Sequence, residues 1–493
     1  MDQSTLATLI SHARLTGTDS SSVEIKASAA KLPKSMTETL SAFANGAGGT
    51  IILGLDEHNG FLPVPKFRAA AISDALAGAC ANDMTPPVRA AVDIIPFEGS
   101  SLVVAEVPGL APADKPCYVT RRGRYEGSFA RTGDGDRRLT PYEVDRLLEN
   151  RTQPRWDREP VPDAAITDLD PELVAGLLKK ERSQAPRIFG QRSDTDALIK
   201  LGALAATKDG SVCPTLGGLM ALGTYPQEFF PRLYVSFTLY PGTDKTSSNG
   251  GPRFLDNVTL SGPIPYLVEE AVNRVQANMR VGGIIEGAFR KDLPDYPPVA
   301  VREAVTNALM HRDYSPEARG SQVQVNMFVD RLEITNPGGL FGPVTIESLL
   351  DGTLAAPGTR NAILSRLLES TPFPGGGYVA ENRGSGFQEI ERQLENDLLP
   401  PAKPKDKLTS FSLTFQRRLL TDAERGAAAG SSSTERILNY LHNHPSATSR
   451  ELAAAAGIGV GGARRIINNL VSEGAVERTE PVTSPKQRYR LPR

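Results

Sequence analysis

The residue order predicts an α+β chain of several domains. Three observations carry that expectation. The 493 residues exceed what one core ordinarily fills. Short runs of β-branched and aliphatic residues alternate with segments whose apolar positions recur at helical spacing. A low-complexity stretch, Gly426–Ser433, sets a compact C-terminal part off from the rest. Hydrophobic residues make up 40% and charged residues 23% of the chain, the balance of a protein that buries cores.

In chain order, residues 1–150 read as mixed α/β. An extended piece covers Ser22–Ala27, a helix Lys34–Asn45 and a strand Thr50–Leu55. Asn59-Gly60 marks a tight turn, Leu102–Val107 is a further strand and Pro141–Glu149 a helix. Residues 151–162 hold Pro154, Pro160, Pro162, the single Trp and several charges, and read as a linker. Residues 163–295 form an α/β connector, with helical spacing over Asp170–Ser183 and Asp194–Leu204 and a Gly/Ser/Thr-rich loop at Gly242–Gly251. Residues 296–420 carry the densest chemistry, 421–432 read as a flexible linker, and 433–493 as a compact helical unit with a hairpin.

Composition narrows the function. With 55 Lys+Arg against 57 Asp+Glu the net charge is −2, which excludes a purely electrostatic binder of polyanions. No apolar run approaches the about 20 residues of a membrane span. The N-terminus lacks the basic start and cleavage site of a secretory signal, so a cytoplasmic protein without a membrane partner is expected. Cys80, Cys117 and Cys213 stand too far apart for a zinc ribbon and read as small buried hydrophobes. There is no HExxH and no GxxxxGK[ST], so zincin and P-loop chemistry are excluded at the motif level.

The segment Pro298–Tyr314 places Val301, Ala304, Val305, Ala308 and Leu309 on one helical face and Glu303, Asn307 and His311 on another, so three polar heads line one groove. A solvated face is the ordinary explanation of such a stripe, but solvated faces favour Lys and Glu over Asn and His. Two strands, Val323–Val329 and Leu332–Thr335, follow, then Asn336-Pro337-Gly338-Gly339-Leu340, and later Arg383-Gly384-Ser385-Gly386 before another helix.

This order resembles the GHKL-type ATPases in the divergent RecG C-terminal-like form, over about 215–420. The resemblance implies a GHKL-like α/β sandwich binding ATP and Mg²⁺. Glu303 would activate water if the site is an ATPase, and Asn307 would hold Mg²⁺. His311, Asn336, Gly338, Gly339, Gly384, Ser385 and Gly386 would complete the nucleotide site, with backbone N–H groups of the glycine loop suited to anionic oxygens. Asn336 stands where the usual aspartate recognises the adenine amino group, and an amide does not reproduce a carboxylate's charge.

Near the start, Asp19-Ser-Ser-Ser-Val-Glu24-Ile-Lys26 precedes Ala42-Phe-Ala-Asn-Gly-Ala-Gly-Gly-Thr-Ile-Ile-Leu-Gly-Leu-Asp56. Lys115-Pro116-Cys117-Tyr118 and Ser128-Phe129-Ala130-Arg131-Thr132-Gly133 close the pattern, which resembles the AlbA-type Schlafen domain over about 1–150. That family binds nucleic acid. Lys115, Arg121, Arg122, Arg124, Arg131, Arg137 and Arg138 cluster late in the domain, and as a group they suit phosphate contact, while each one singly reads equally as an edge guard. Lys26, Arg121, Arg122 and Arg124 are the candidate DNA contacts here. Some relatives cut RNA with three carboxylates, which makes Asp19, Glu24 and Asp56 the set to test for a metal-dependent nuclease; against it, Lys26 neutralises Glu24 in a structural ion pair.

From Ser433 the pattern runs helix, turn, helix, turn, helix, hairpin. Thr448 and Glu451 form a capping box before Leu452–Ala456, and Gly461–Glu473 reads as a helix presenting Arg464 and Arg465. This resembles the winged helix-turn-helix of bacterial regulators, which implies DNA contact through Arg464, Arg465 and the wing residue Arg488. Taken together, the resemblances imply an ATP-binding, DNA-binding transcriptional regulator in which nucleotide state biases nucleic-acid binding. DNA is the expected partner, RNA the alternative, and a homo-oligomer, a dimer on paired half-sites, the expected assembly. The competing reading is a nucleotide-gated nuclease of Schlafen type, active against foreign nucleic acid.

Overall fold

The structure is a computed structural model. It describes residues 1–29, 31–133, 135–207, 210–246, 252–286, 289–352, 358–380, 386–418, 433–456, 458–472, 474–480 and 487–492. The chain divides into two units, Met1–Pro154 and Arg155–Arg493.

In the first unit, α1 (Gln3–Thr16), β1 (Val23–Lys26), α2 (Met36–Asn45), β2 (Gly48–Leu53), α3 (Ala69–Gly78), β3 (Ala91–Phe97) and β4 (Ser100–Pro108) precede a hairpin of β5 (Phe129–Thr132) and β6 (Gly135–Arg138), then α4 (Pro141–Glu149). A four-stranded sheet runs β1-β2-β4-β3, with β1 parallel to β2 and the other pairs antiparallel. Side chains alternate across it. Ile51, Leu53, Val103 and Ala105 pack under α2 and α3, while Ile52, Leu102 and Val104 pack with Leu6 and Ile10 of α1. The result is a sheet with helices on both faces. The Asn45 side chain at the end of α2 donates to the carbonyls of Cys117 (2.9 Å) and Phe129 (3.0 Å) and accepts from the Cys117 N–H (2.7 Å). A Cβ on Gly49 would lie 2.6 Å from the Phe43 ring. The Ala-Phe-Ala-Asn…Gly-Gly pattern is thus the buried joint tying α2 to the closing segments.

The second unit begins with α5 (Pro171–Gln184), α6 (Asp194–Leu201) and α7 (Leu216–Leu222). Then come β7 (Val235–Leu239), β8 (Asp256–Leu260), α8 (Ile264–Asn278), α9 (Pro298–Met310), β9 (Val323–Met327), β10 (Arg331–Pro337), α10 (Ile346–Asp351), α11 (Ala362–Ser370), α12 (Gly386–Asn396), β11 (Lys403–Lys407) and β12 (Ser410–Gln416). A six-stranded sheet runs β8-β7-β9-β10-β12-β11, parallel only between β7 and β9. Val235, Phe237, Val323, Val325, Leu332, Ile334, Leu413 and Phe415 join the core of α8, α9, α11 and α12, whereas the alternate positions Ser236, Gln324, Glu333 and Thr335 stay out of it. This is the two-layer sandwich expected of the GHKL-like reading. The part of 151–162 around Trp156 belongs to this unit. Asp157 is buried, and its carboxylate accepts the N–H groups of Ile363 (2.7 Å) and Leu364 (3.0 Å), capping α11.

The C-terminal part packs α13 (Ser433–Asn443), α14 (Ser449–Ala456) and α15 (Val460–Ser472) around Ile437, Leu452, Ala463, Ile467 and Leu470. Strands β13 (Glu477–Arg478) and β14 (Tyr489–Arg490) form the wing. The Thr448–Glu451 capping box is present, with the Thr448 N–H donating to Glu451 (2.7 Å) and the Glu451 N–H to Thr448 (3.2 Å). Among the described residues no helix is long and apolar enough to cross a membrane.

Candidate nucleotide site and nucleic-acid faces

Successive turns of α9 bring Glu303 and Asn307 together, the Asn307 amide donating to the Glu303 carboxylate at 3.3 Å. Gly386, first residue of α12, seats directly on this pair. A Cβ there would lie 3.0 Å from the Asn307 amide nitrogen and 3.2 Å from the Glu303 carboxyl carbon. Of the Arg-Gly-Ser-Gly loop only Gly386 is described; Gly384 and Ser385 lie outside the described residues. His311 caps the C-terminus of α9, where burial and the nearby Arg360 cation push its imidazole down to about 4. It is therefore neutral at physiological pH.

The residues after His311 clamp this helix to the glycine turn. The Asp313 N–H donates to the Pro337 carbonyl (2.8 Å), and the Tyr314 hydroxyl donates back to the Leu309 carbonyl (2.9 Å). The fully buried Arg312 donates to the carbonyls of Ala318 (3.1 Å) and Ser321 (2.7 Å). Gly338 needs its glycine: its φ is +88°, and a Cβ would lie 2.8 Å from Asp313 Cβ. At Gly339 a Cβ would lie 2.7 Å from the Asp406 carboxylate. Asn336 is buried and donates its amide to the Pro337 (3.1 Å) and Gly338 (3.2 Å) carbonyls. A carboxylate could donate neither bond, which is a structural reason for asparagine here. Sequence reading missed Arg360 and Asn361. Asn361 donates to the Met310 (2.9 Å) and Arg312 (2.8 Å) carbonyls and so holds the end of α9, while Arg360 donates to the Gly339 carbonyl (3.2 Å). The Arg-Asn dipeptide just before an apolar helix was visible in the sequence, but its burial and its long-range bonds were not.

In the first unit Glu24 is buried with two cations, Lys26 at 3.2 Å and Arg131 at 2.7 Å. Arg131 also meets Asp136 (3.2 Å) and Asp19 (3.8 Å), and Asp19 accepts the Ile25 N–H at 3.2 Å. Burial raises the Glu24 carboxyl, outweighing Lys26 and Arg131. Asp56 accepts the His58 N–H (3.1 Å) at its own turn. Asp19 and Glu24 thus share a guanidinium, and among the described residues no group of three or more His, Cys, Asp or Glu is arranged to hold a metal.

Residues 19–140 match the family described as "Schlafen, AlbA_2", residues 320–415 "Putative ATP-dependent DNA helicase recG C-terminal", and residues 431–477 "Winged helix-turn-helix DNA-binding". The chain joins these three domain types in that order. Residues 145–236 also match a domain of unknown function, DUF8451. The RecG-type match starts beyond α9, so Glu303, Asn307 and His311 precede it. Among solved structures the chain is similar to the DIP2311 protein from Corynebacterium diphtheriae, at 19% identity over 96% of this chain and 92% of that one, with a TM-score of 0.41. It is also similar to the N-terminal domain of a RecG-related protein from Nitrosomonas europaea, at 30% identity over 27% of this chain and 92% of that one, with a TM-score of 0.22. A comparison with curated proteins finds no match.

The basic stretch of the Schlafen AlbA domain is largely engaged internally. Arg122 pairs with Glu38 (2.8 Å), Arg137 with Glu143 (2.6 Å), Arg138 with Glu126, and Lys115 donates to the Gly46 carbonyl (3.1 Å). Arg121 and Arg124 are exposed and form no ion pair among the described residues. Arg124 lines a cavity of about 180 Å³ with Tyr118, Arg151, Thr85 and Asp114. In the winged helix Arg464 and Arg465 are exposed on α15, again without an ion pair among the described residues. Arg488 is instead held by Ser446 (3.0 Å) and Glu451 (3.2 Å), bracing the wing against α14.

Proposed function

We propose that this is an ATP- and DNA-binding transcriptional regulator in which nucleotide state biases nucleic-acid binding. Its functional parts are the Schlafen AlbA domain (1–150), the connector (163–295), the ATP-binding region (296–420) and the winged helix (433–493). The carrying observation is the seating of Gly386 on the Glu303–Asn307 pair, between α9 and the start of α12. That donor set fits Mg²⁺-nucleotide: an amide oxygen suits the metal, a carboxylate suits the attacking water, and a glycine-bearing helix start suits phosphate oxygens. Asn307 would hold Mg²⁺, which supplies charge neutralisation along the phosphates. Glu303 would orient and deprotonate water if turnover occurs. Neutral His311, Asn336, Gly338 and Gly339 would shape the floor, with Gly384 and Ser385 completing the loop.

For DNA, Arg464 and Arg465 suit base edges or phosphates from α15, and Arg121 and Arg124 suit phosphates from the Schlafen domain. The roles of Lys26, Arg122 and Arg488 in this reading are to brace those faces, because each is already ion-paired. The nuclease alternative gains no support from Asp19, Glu24 and Asp56, the first two of which are spent on Arg131. Calorimetry with Mg²⁺-ATP and gel shifts with and without nucleotide test the proposal together. Expected are saturable binding, lost in Asn307→Ala, and a nucleotide-dependent DNA affinity. Absence of nucleotide binding by the full chain would sink it.

A further inference from the structure

The N-terminal turn of α15, the part of a winged helix that ordinarily approaches base edges, is partly covered within this chain. Both α10 and α12 pack against α15. The contact with α12 is made by carboxylates. A Cβ on Gly459 would lie 2.6 Å from a Glu391 carboxylate oxygen, and one on Gly462 would lie 3.0 Å from the Glu395 carboxyl carbon. Gly459 accepts the first intrahelical bond of this turn, from the Ala463 N–H at 2.9 Å. Two acidic side chains therefore sit at the positive end of a 13-residue helix, where DNA phosphates would be favoured for the same reason, and burial together with the neighbouring Glu395 pushes the Glu391 carboxyl up to about 7. The glycines at 459 and 462 make the approach possible. Glu391 is anchored from its own side, its other oxygen accepting the Ala402 N–H at 2.9 Å. Arg464 and Arg465 stay exposed, as does Gly461, so the docked helix keeps its cations in solvent while Gly459 and Gly462 face the α12 acids.

We propose that α12 is an intramolecular competitor of DNA: Glu391 and Glu395 occupy the recognition-helix turn, and DNA binds tightly only when that turn is released. The opposite end of α12 is Gly386, seated on Glu303 and Asn307, so one helix of 11 residues, about 16 Å long, spans the nucleotide site and the DNA-reading helix. The inference rests on the DNA-binding reading of the winged helix, and its test separates the two.

The full chain is compared with Glu391→Gln/Glu395→Gln, which replaces both carboxyl groups with neutral amides of the same shape, and with Gly462→Ala, which adds one methyl group on the opposite side of the contact. Hydrogen exchange at the amides of residues 460–463 reports docking without any DNA. Gel shift with a mixed-sequence duplex reports affinity, and Mg²⁺-nucleotide binding checks that the Glu303–Asn307 site is intact. Expected are faster exchange in both variants, unchanged nucleotide binding and about tenfold tighter DNA binding. Adding Arg464→Ala and Arg465→Ala should abolish the gain. Unchanged exchange overturns the docking, and faster exchange with unchanged DNA affinity overturns the competition. DNA binding absent from every protein would instead bring down the DNA-binding reading, and this inference with it.

Discussion

Replacing Arg131 with alanine would leave Glu24, Asp19 and Asp136 facing one another without their shared guanidinium. Removing one partner of a buried ion pair costs about 3–5 kcal/mol, so urea denaturation should show the first unit weakened by that order. At Asn336 the expected effect follows from donor count. Asn336→Asp places a carboxylate against the Pro337 and Gly338 carbonyls and should destabilise the second unit by about 1–3 kcal/mol, read as a lower melting temperature. His311 sets a pH dependence. Its folded-state value near 4 lies below the ordinary 6.5, so the unfolded chain takes up the proton first. Stability is complete above pH 6.5, falls as pH drops through 6.5 towards 4, and changes no further below. Between pH 7.5 and 5 the loss is about 2 kcal/mol, and it should shrink in His311→Gln when melting is compared at those two values.

At the scale of elements, Asp157 shows how a cap can arrive from far along the chain. It accepts the first N–H groups of α11 from about two hundred residues upstream. Asp157→Ala should cost about 1–2 kcal/mol, visible as a shift in the urea midpoint of the second unit. No local pattern announces such a cap, and the surrounding prolines and charges read as linker. Where the signals are local, residue order sufficed. The helix expected over Pro141–Glu149 has those bounds because Thr140, Pro141 and Glu143 combine a capping box with proline in the first turn. The strand expected at Leu102–Val107 runs Ser100–Pro108 because its β-branched residues sit in the middle of a sheet. The helix carrying Glu303 and Asn307 was legible from its 3.6-residue spacing. The clamp formed by Arg312, Asp313, Arg360 and Asn361 was not, since its bonds cross between distant loops.

For the whole molecule, near-neutral charge and local basic residues must be reconciled. Ion pairs engage most of the late arginines of the Schlafen AlbA domain, leaving Arg121 and Arg124 of that stretch, and the winged helix offers Arg464 and Arg465. DNA binding should therefore be salt-dependent with a modest slope. Substituting both Arg464 and Arg465 with alanine should lower that slope by about 2 in log K against log salt, provided both meet phosphates. Gel shifts across a salt series would check it, and a slope unchanged by the double substitution would place DNA elsewhere.

Residue order was enough to show the helix with its Glu-Asn-His stripe, the glycine turns and the helix-turn-helix with its hairpin, because each is written in short-range spacing that local physics reads directly, while the three domain types came from resemblance to known families. Which charges remain available was beyond it. Folding brought Arg131 onto Glu24, turned the Asn336 amide onto its own turn, and set Glu391 and Glu395 against Gly459 and Gly462. Electrostatic pairing depends on distances of a few ångströms between residues far apart in the chain, and only the packed structure sets those distances.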